Sequence, residues 1–319
     1  MGRQTWVLFI VGIALGAEAQ NRLPITLRMT NQEALLTITA TNTSNVTLRA
    51  YYPPLNQFAP LFTFRSTGVN NYIDAAAPYL QSRLYNPRFA PPDAFLGDHV
   101  MTTNGDLIIH PINHASFVMI WNGKAIYNDP VGAASLYAGL PKADLILISH
   151  DHSDHWSSTT INSVTNTNAV IITSLGPYNK MTVAQKAIST VLRYGALTNA
   201  IGISVEAVPA YNDVYHPYGT NNAYLLTIGG KRILMTGDSG PTTNELRTLQ
   251  NIDVAFVCMN LPYTMDIPVA ASLVRDMQPK VVFPYHFTNQ TQGALANLQE
   301  FKRLVGQDRG IEVRIRRWY

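Results

Sequence analysis

The sequence predicts an α/β protein with mixed sheets, preceded by a small all-β, sandwich-like segment. Three observations carry that prediction. From about His99 onward, short apolar runs alternate with helical patterns, the signature of layered strands and helices. Before that point the runs are short, Thr-rich and alternating, with turn residues between them. All 8 histidines fall between His99 and His286, so the two regions differ in chemistry as well as in pattern.

The first residues read as a leader. Arg3 gives a short positive region, Trp6 to Leu15 is apolar, and Ala17-Glu18-Ala19 fits an A-x-A cleavage site. The apolar run is too short to cross a bilayer as a helix. The expectation is a signal peptide over residues 1–19, no membrane span, and a secreted or periplasmic mature protein starting near Gln20.

Residues 20–78 are expected to form the sandwich-like segment, with strands at Ile25–Met29, Leu36–Ala40, Val46–Leu48 and Leu61–Phe64 and a hairpin turn at Asn42–Asn45. Pro87, Pro91 and Pro92 mark 79–98 as a connector. Residues 99–319 form the α/β domain. Its expected strands are Leu107–Pro111, Ser116–Trp121, Ala125–Asn128, Ala143–Ser149, Ala169–Thr173, Ile203–Val208, Ala223–Ile228, Arg232–Thr236, Val254–Met259, Val281–Pro284 and Ile311–Ile315. Helices are expected at Met181–Leu192, Asn244–Leu249, Pro268–Asp276 and Ala294–Leu304. The early hairpins followed by β-α alternation call for mixed sheets.

Composition narrows the function. A charged fraction of 13%, a net charge of +3 and no Lys/Arg cluster longer than Arg316-Arg317 argue against a nucleic-acid partner. The single cysteine, Cys258, lies in an apolar strand and reads as core. His99 and His110 read as structural.

One run is rich in chemistry. His150-Asp151-His152-Ser153-Asp154-His155 follows the apolar strand 143–148, and it concentrates imidazoles and carboxylates that suit zinc or, with more oxygen, manganese. Two later strands end the same way. Arg232–Thr236 runs into Gly237-Asp238-Ser239-Gly240, whose glycines permit a tight turn, and Val281–Pro284 runs into Tyr285-His286. Three strands thus deliver ligand-type residues at their carboxyl ends, the edge where layered α/β folds build sites. Tyr263 follows a further strand and reads as a loop aromatic.

These residues resemble the metallo-β-lactamase superfamily, over roughly His99 to Tyr319. The likeness is nearest to the branch of ascorbate-phosphate-lactonase-like and N-acylphosphatidylethanolamine-hydrolase-like proteins, through Asn113-His114-Ala115, Asp129-Pro130, Val208-Pro-Ala-Tyr-Asn212, Thr236-Gly-Asp238 and Pro284-Tyr-His286. The resemblance implies a four-layer αββα fold and two divalent cations. His150 and His152 would hold one, Asp154, His155 and His286 the other, and Asp238 would bridge them. It further implies water activated against a small ester, lactone or phosphodiester, with Asp154 as proton acceptor.

One position departs from the pattern. The strand end where the family places another histidine reads Tyr211-Asn212. His216, nearby in Tyr215-His216-Pro217, is open to three readings, as the missing ligand, as a substrate-facing histidine or as a plain loop histidine, and Asn212 is a further candidate for metal or substrate. His114 and Asp129 are candidates for orienting the metal-bound imidazoles from behind. The competing reading is a non-catalytic secreted binding protein whose metal site is structural.

Overall fold

The computed structural model describes residues 97–319 except 213, 290–292 and 317, together with the backbone of four strands nearer the amino terminus. Contacts divide the chain into two units, Met1–Ile73 and Asp74–Tyr319. In the first, β1 (Ile25–Met29), β2 (Glu33–Thr39), β3 (Asn45–Tyr51) and β4 (Leu61–Ser66) pair antiparallel in that order, with Leu27 opposite Leu36 and Leu48 opposite Phe64. Among the described residues, this one sheet represents the expected sandwich-like segment. The leader and most of the expected connector lie outside the described residues.

The second unit is built on two mixed sheets. The first comprises β5 (Asp98–Thr102), β6 (Gly105–Asn113), β7 (Ser116–Trp121), β8 (Lys124–Asn128), β9 (Ala143–Ile148), β10 (Thr165–Thr173) and β11 (Ser189–Val191), side by side in reverse chain order. β5 to β8 are antiparallel, and β8 to β11 run parallel. The second holds β12 (Leu197–Ala200), β13 (Ile203–Asn212), β14 (His216–Ile228), β15 (Lys231–Met235), β16 (Val254–Cys258) and β17 (Val281–Tyr285). A short hairpin, β18 (Thr288–Asn289) and β19 (Ala294–Leu295), stands apart, and β20 (Glu312–Val313) adds to the edge of β17. From β15 onward the second sheet is parallel. The expected α/β fold with mixed sheets is therefore the observed one.

The sheets pack face to face because their strands are apolar on both sides. In β9, Leu145 and Leu147 enter the main core, while Ile146 and Ile148 enter a second core with Ile161 and Val164 of α1 (Ser158–Val164). Alternate side chains of a strand point to opposite faces, so burial on both sides demands a continuous apolar run. In the main core Phe117 stacks on Phe256 (4.1 Å between centroids), and Phe256 on Phe283 (5.1 Å). The carboxyl-terminal tail is tied to β5 by a buried bidentate pair, Arg316 donating to both oxygens of Asp98 at 2.6 and 2.7 Å.

Helices depart from expectation in instructive ways. Met181–Leu192, expected as one helix, is instead a short helix followed by a strand. α2 (Leu175–Lys180) ends before it; α3 (Val183–Ala187) starts with a Thr182–Gln185 capping box and gives way to β11, which pairs parallel with β10. The β-branched Thr190 and Val191 favour the strand once an edge is available. Asn244–Leu249 is a 3-10 turn over Glu245–Thr248. α4 (Ile267–Met277) matches the helix expected at 268–276, opened by an Asp266 cap and an early proline. α5 (Leu298–Val305) starts later than expected, at the Asn297 cap, because Ala294 and Leu295 belong to the hairpin.

The aromatic stack makes a stability prediction. Phe256→Ala removes the ring packed between Phe117 and Phe283, and urea unfolding should show a loss of about 3–5 kcal/mol. A loss below about 1 kcal/mol would mean that the two sheets are not held together through this contact.

Candidate metal centre

The histidine-rich loop is fixed from beneath by a buried carboxylate. Asp129, fully buried at the end of β8, accepts hydrogen bonds from the Ser149 main-chain N–H (2.7 Å) and the Ser149 hydroxyl (2.7 Å). Its Oδ2 also lies 2.8 Å from Nδ1 of His155. The Ser149 hydroxyl in turn touches Nδ1 of His150 at 3.0 Å. A carboxylate oxygen accepts, so the N–H at Nδ1 of His155 is directed to Asp129 and Nε2 is turned inward. The loop then closes on itself, the His155 and Trp156 N–H groups donating to the His152 carbonyl.

The other contributors come from the facing sheet. Asp238 follows β15 after Gly237, whose φ is +55° and where an added Cβ would lie 2.7 Å from the Asn222 carbonyl oxygen. Only glycine permits that turn. His286 follows β17 in the left-handed region (φ +45°), and its N–H donates to the carbonyl of His114, itself at φ +48°. Asp129 has φ +40°. Three non-glycine residues in this unfavourable region surround one centre, a concentration of strain typical of functional sites.

His216 opens β14 and swings into the cluster. Asn212 holds the loop between β13 and β14: its Oδ1 accepts the N–H groups of Val214, Tyr215 and His216, and its Nδ2 donates to the Tyr263 carbonyl and lies 2.7 Å from His216 Nδ1. Both ends of the Asn212 amide are thus engaged by the protein, and the side chain braces the loop. Tyr263 enters through its carbonyl, its ring standing 4.8 Å from that of Tyr215.

Two outer groups of donor atoms result, and a third, His150 with His155 and Asp238, overlaps both. His150, His152 and His216 form one, with His216 Nε2 3.2 Å from His152 Nδ1. Asp154, His155 and His286 form the other, with Nε2 of His155 and His286 3.2 Å apart and Asp154 Oδ2 3.4 Å from His286 Nε2. Asp238 stands between them. Its Oδ1 lies 3.2 Å from His155 Nε2, and its Oδ2 is 3.4 Å from His216 and 3.6 Å from His286.

Electrostatics separate the groups. Burial drives His216 down to about 4, and it drives His150 well below its ordinary value, so both rings are neutral at pH 7. Burial also works against a proton on His155 and His286, but the Asp238 carboxylate, with Asp129 or Asp154, outweighs it and raises both. Burial would raise Asp154 and Asp238, yet the facing imidazoles hold both low and therefore ionised.

The donor set fits divalent cations. Nε2 of His150 is buried without a hydrogen-bond partner, an imidazole nitrogen of the kind that binds a divalent cation. The arrangement is not closed: His152 is exposed and Asp154 is 35% exposed, so both groups open on one side to solvent. A structural zinc site has no such open side.

The structure thus brings together His150, His152, Asp154, His155, His216, Asp238 and His286. Asp129 lies behind them, against His155 and Ser149. His114 contributes its carbonyl and an edge-on ring contact with His286 (5.6 Å) rather than a side-chain hydrogen bond to it. His99 and His110 stay outside these groups, His99 lying 3.2 Å from Asp106. The Cys258 thiol is pushed up to about 12, by burial first and by the Asp238 charge, which suits core packing and not a nucleophile. Two residues escaped the sequence reading. Ser149 links Asp129 to His150, and Asn260, past the end of β16, places Nδ2 3.3 Å from His286 Nε2. The signal for Asn260 was its position beyond a strand that lies between those delivering Asp238 and His286.

With this geometry in place, comparison with known proteins decides the family. The sequence profile described as the beta-lactamase superfamily domain matches residues 109–286, more than half of the chain. The chain belongs to the metallo-β-lactamase superfamily. A solved structure from Parabacteroides distasonis, described as a candidate metal-dependent hydrolase, is 35% identical, with a TM-score of 0.61 covering 70% of this chain and 98% of that one. A metal-dependent hydrolase of Thermococcus onnurineus is 29% identical over 207 residues, 61% of this chain and 90% of its own length. A metallo hydrolase of Ignicoccus hospitalis, 23% identical with a TM-score of 0.56 over 66% and 94% of the two chains, shares the fold. So does the diiron β-hydroxylase CmlA of Streptomyces venezuelae, 14% identical with a TM-score of 0.54 over 86% and 68%. The metallo-β-lactamase fold alone therefore does not choose a reaction.

Two outcomes follow from the Asp129 anchor and the cluster charges. Asp129→Ala should weaken zinc binding by about 10- to 100-fold in competition with a chromophoric chelator; unchanged affinity would remove Asp129 from the centre. Zinc uptake should also release protons, because the metal-free cluster keeps His155 and His286 protonated above the ordinary 6.5. Affinity should accordingly strengthen as pH rises from 6.5 toward those raised values, and calorimetric heats should vary with the buffer's ionisation enthalpy. Buffer-independent heats would contradict the assigned charges.

Proposed function

We propose that this protein is an exported hydrolase with a binuclear metal centre, acting on a small ester, lactone or phosphodiester. The observation that carries the reading is the pair of donor groups sharing the buried Asp238 and opening to solvent at His152 and Asp154. His150, His152 and His216 would hold one cation, and Asp154, His155 and His286 the other, with Asp238 contributing to both. Zinc suits an imidazole-rich set, and manganese is the alternative that two carboxylates allow. Such cations supply Lewis acidity and bring the pKa of bound water down to about 7.

The chain's own residues supply the rest. Asp154, ionised and half-open to solvent, is placed to accept a proton from the attacking water and hand it to the leaving group. Asp129 and Ser149 hold the imidazoles in the orientation that keeps their inner nitrogens bare. Export is supported by the leader-like residues 1–19. No described helix is long and apolar enough to cross a membrane.

The competing reading, a secreted binding protein with a structural metal site, predicts a closed coordination shell, which the exposed His152 and Asp154 argue against. Elemental analysis of mature protein, followed by assay against p-nitrophenyl acetate, a γ-lactone and bis-p-nitrophenyl phosphate, separates the two. The hydrolase reading expects about two zinc or manganese per chain, turnover of one of these probes, and a drop to about one metal in His216→Ala. Full metal content with no turnover would favour the structural role, and failure to take up metal would end both.

A further inference from the structure

One buried amide ties the metal centre to a pair of aromatic side chains. Asn212 Oδ1 accepts the Tyr215 main-chain N–H at 2.7 Å, and its Nδ2 donates to the Tyr263 carbonyl while lying 2.7 Å from His216 Nδ1. A histidine of the first donor group and two tyrosines are thus fixed by the same side chain. Tyr263 follows β16, which runs parallel between β15 and β17. It therefore leaves the sheet at the same edge as Asp238 and His286. Tyr215 lies in the turn just before β14, next in the chain to His216.

The two rings meet edge to face, 4.8 Å between centroids and 72° between planes. Tyr263 is half-buried, whereas Tyr215 is 40% exposed and Val214 beside it 74% exposed. His216 also has the exposed His152 against its ring, 4.8 Å between centroids. The solvent-open ligand and the exposed aromatic therefore adjoin the same imidazole. Apolar surface left in water forgoes the free energy that burial would supply. Here that surface is held rigid, the Tyr215 main chain by Asn212 and its ring by Tyr263. Preformed aromatic surface beside a few convergent polar groups is the make-up of a small-molecule pocket.

We propose that Tyr215 and Tyr263 are specificity-determining residues, forming a wall that selects substrates with a flat apolar ring close to the oxygen bound at the metals. The inference rests on the metal-centre reading and narrows its substrate class to aryl, over alkyl, esters and phosphodiesters. A substrate ring laid against Tyr215 would extend an aromatic cluster that Tyr263 already begins. Tyr218, 67% exposed on the same hairpin, packs instead on Tyr194 (4.9 Å) and Tyr211 (5.2 Å) and serves as the control.

Phenylphosphonate and methylphosphonate share an anionic head and differ in the ring, so calorimetric titration of each into zinc-loaded protein isolates the wall. Wild type should prefer phenylphosphonate by on the order of 10-fold. Tyr215→Ala and Tyr263→Ala should each cut that preference about 2- to 10-fold, with zinc content and methylphosphonate affinity unchanged. Tyr218→Ala should keep it. Equal affinity of wild type for the two phosphonates would overturn the proposal. So would alanine variants at 215 and 263 that retain the preference, or a Tyr218→Ala variant that loses it equally. Where an alanine variant fails to fold or loses zinc, Tyr215→Leu, which keeps apolar bulk in the turn, decides in its place by losing the preference or retaining it. Zinc-loaded wild type that binds neither phosphonate would overturn the wall and leave the metals in place. Wild type that takes up no zinc would overturn the metal-centre reading, and the wall with it.

Discussion

The Asp129 carboxylate collects four hydrogen bonds in a fully buried position, two from Ser149, one involving His155 and a longer one from the Asn128 amide, and through the first three it sets the geometry of both donor groups. A buried carboxylate is expensive unless its oxygens are satisfied, and here the partners that satisfy it are the residues that must be aimed. His155 belongs to one group, and His150, reached through the Ser149 hydroxyl, belongs to the other. The same carboxylate therefore fixes the ring orientation on both sides of Asp238. Its left-handed backbone and the proline after it place the side chain beneath the loop. The position exists because β8 and β9 are parallel neighbours, with Asn128 opposite Leu147.

Above that anchor the centre is under electrostatic tension. Two carboxylates, Asp154 and Asp238, and four buried or nearly buried imidazoles converge on a small volume. In the metal-free protein, protons on His155 and His286 balance the carboxylates, while His150 and His216 stay neutral. Divalent cations would replace those protons with stronger charge at the same places. The stiffness of the two-sheet core, with Phe117, Phe256 and Phe283 stacked across it, keeps groups that repel one another from relaxing apart.

Much of this was legible in the sequence, and for physical reasons. The strand 143–148 announces itself because burial on both faces requires an unbroken apolar run, and the ligand-type residues stand directly beyond it. Asp238 and His286 are equally local, each following an apolar strand. His216 was ambiguous because it reaches the cluster only through the turn that Asn212 builds from three main-chain N–H groups, and no pattern in the sequence encodes that turn. Asn260 looks like an ordinary loop residue, and Ser149 like the end of a strand, until the sheet order puts them beside His286 and Asp129. Residues 181–192 misled for a related reason, since the strand at Ser189–Val191 depends on a parallel partner that only the tertiary fold supplies.

The central claim is that two cations occupy neighbouring groups joined by Asp238. Anomalous diffraction at the zinc edge, on crystals of the zinc-loaded protein, tests it directly. The account predicts two peaks, one among His150, His152 and His216 and one among Asp154, His155 and His286, each within bonding distance of an Asp238 oxygen. A single peak, or a second one away from Asp238, would contradict it.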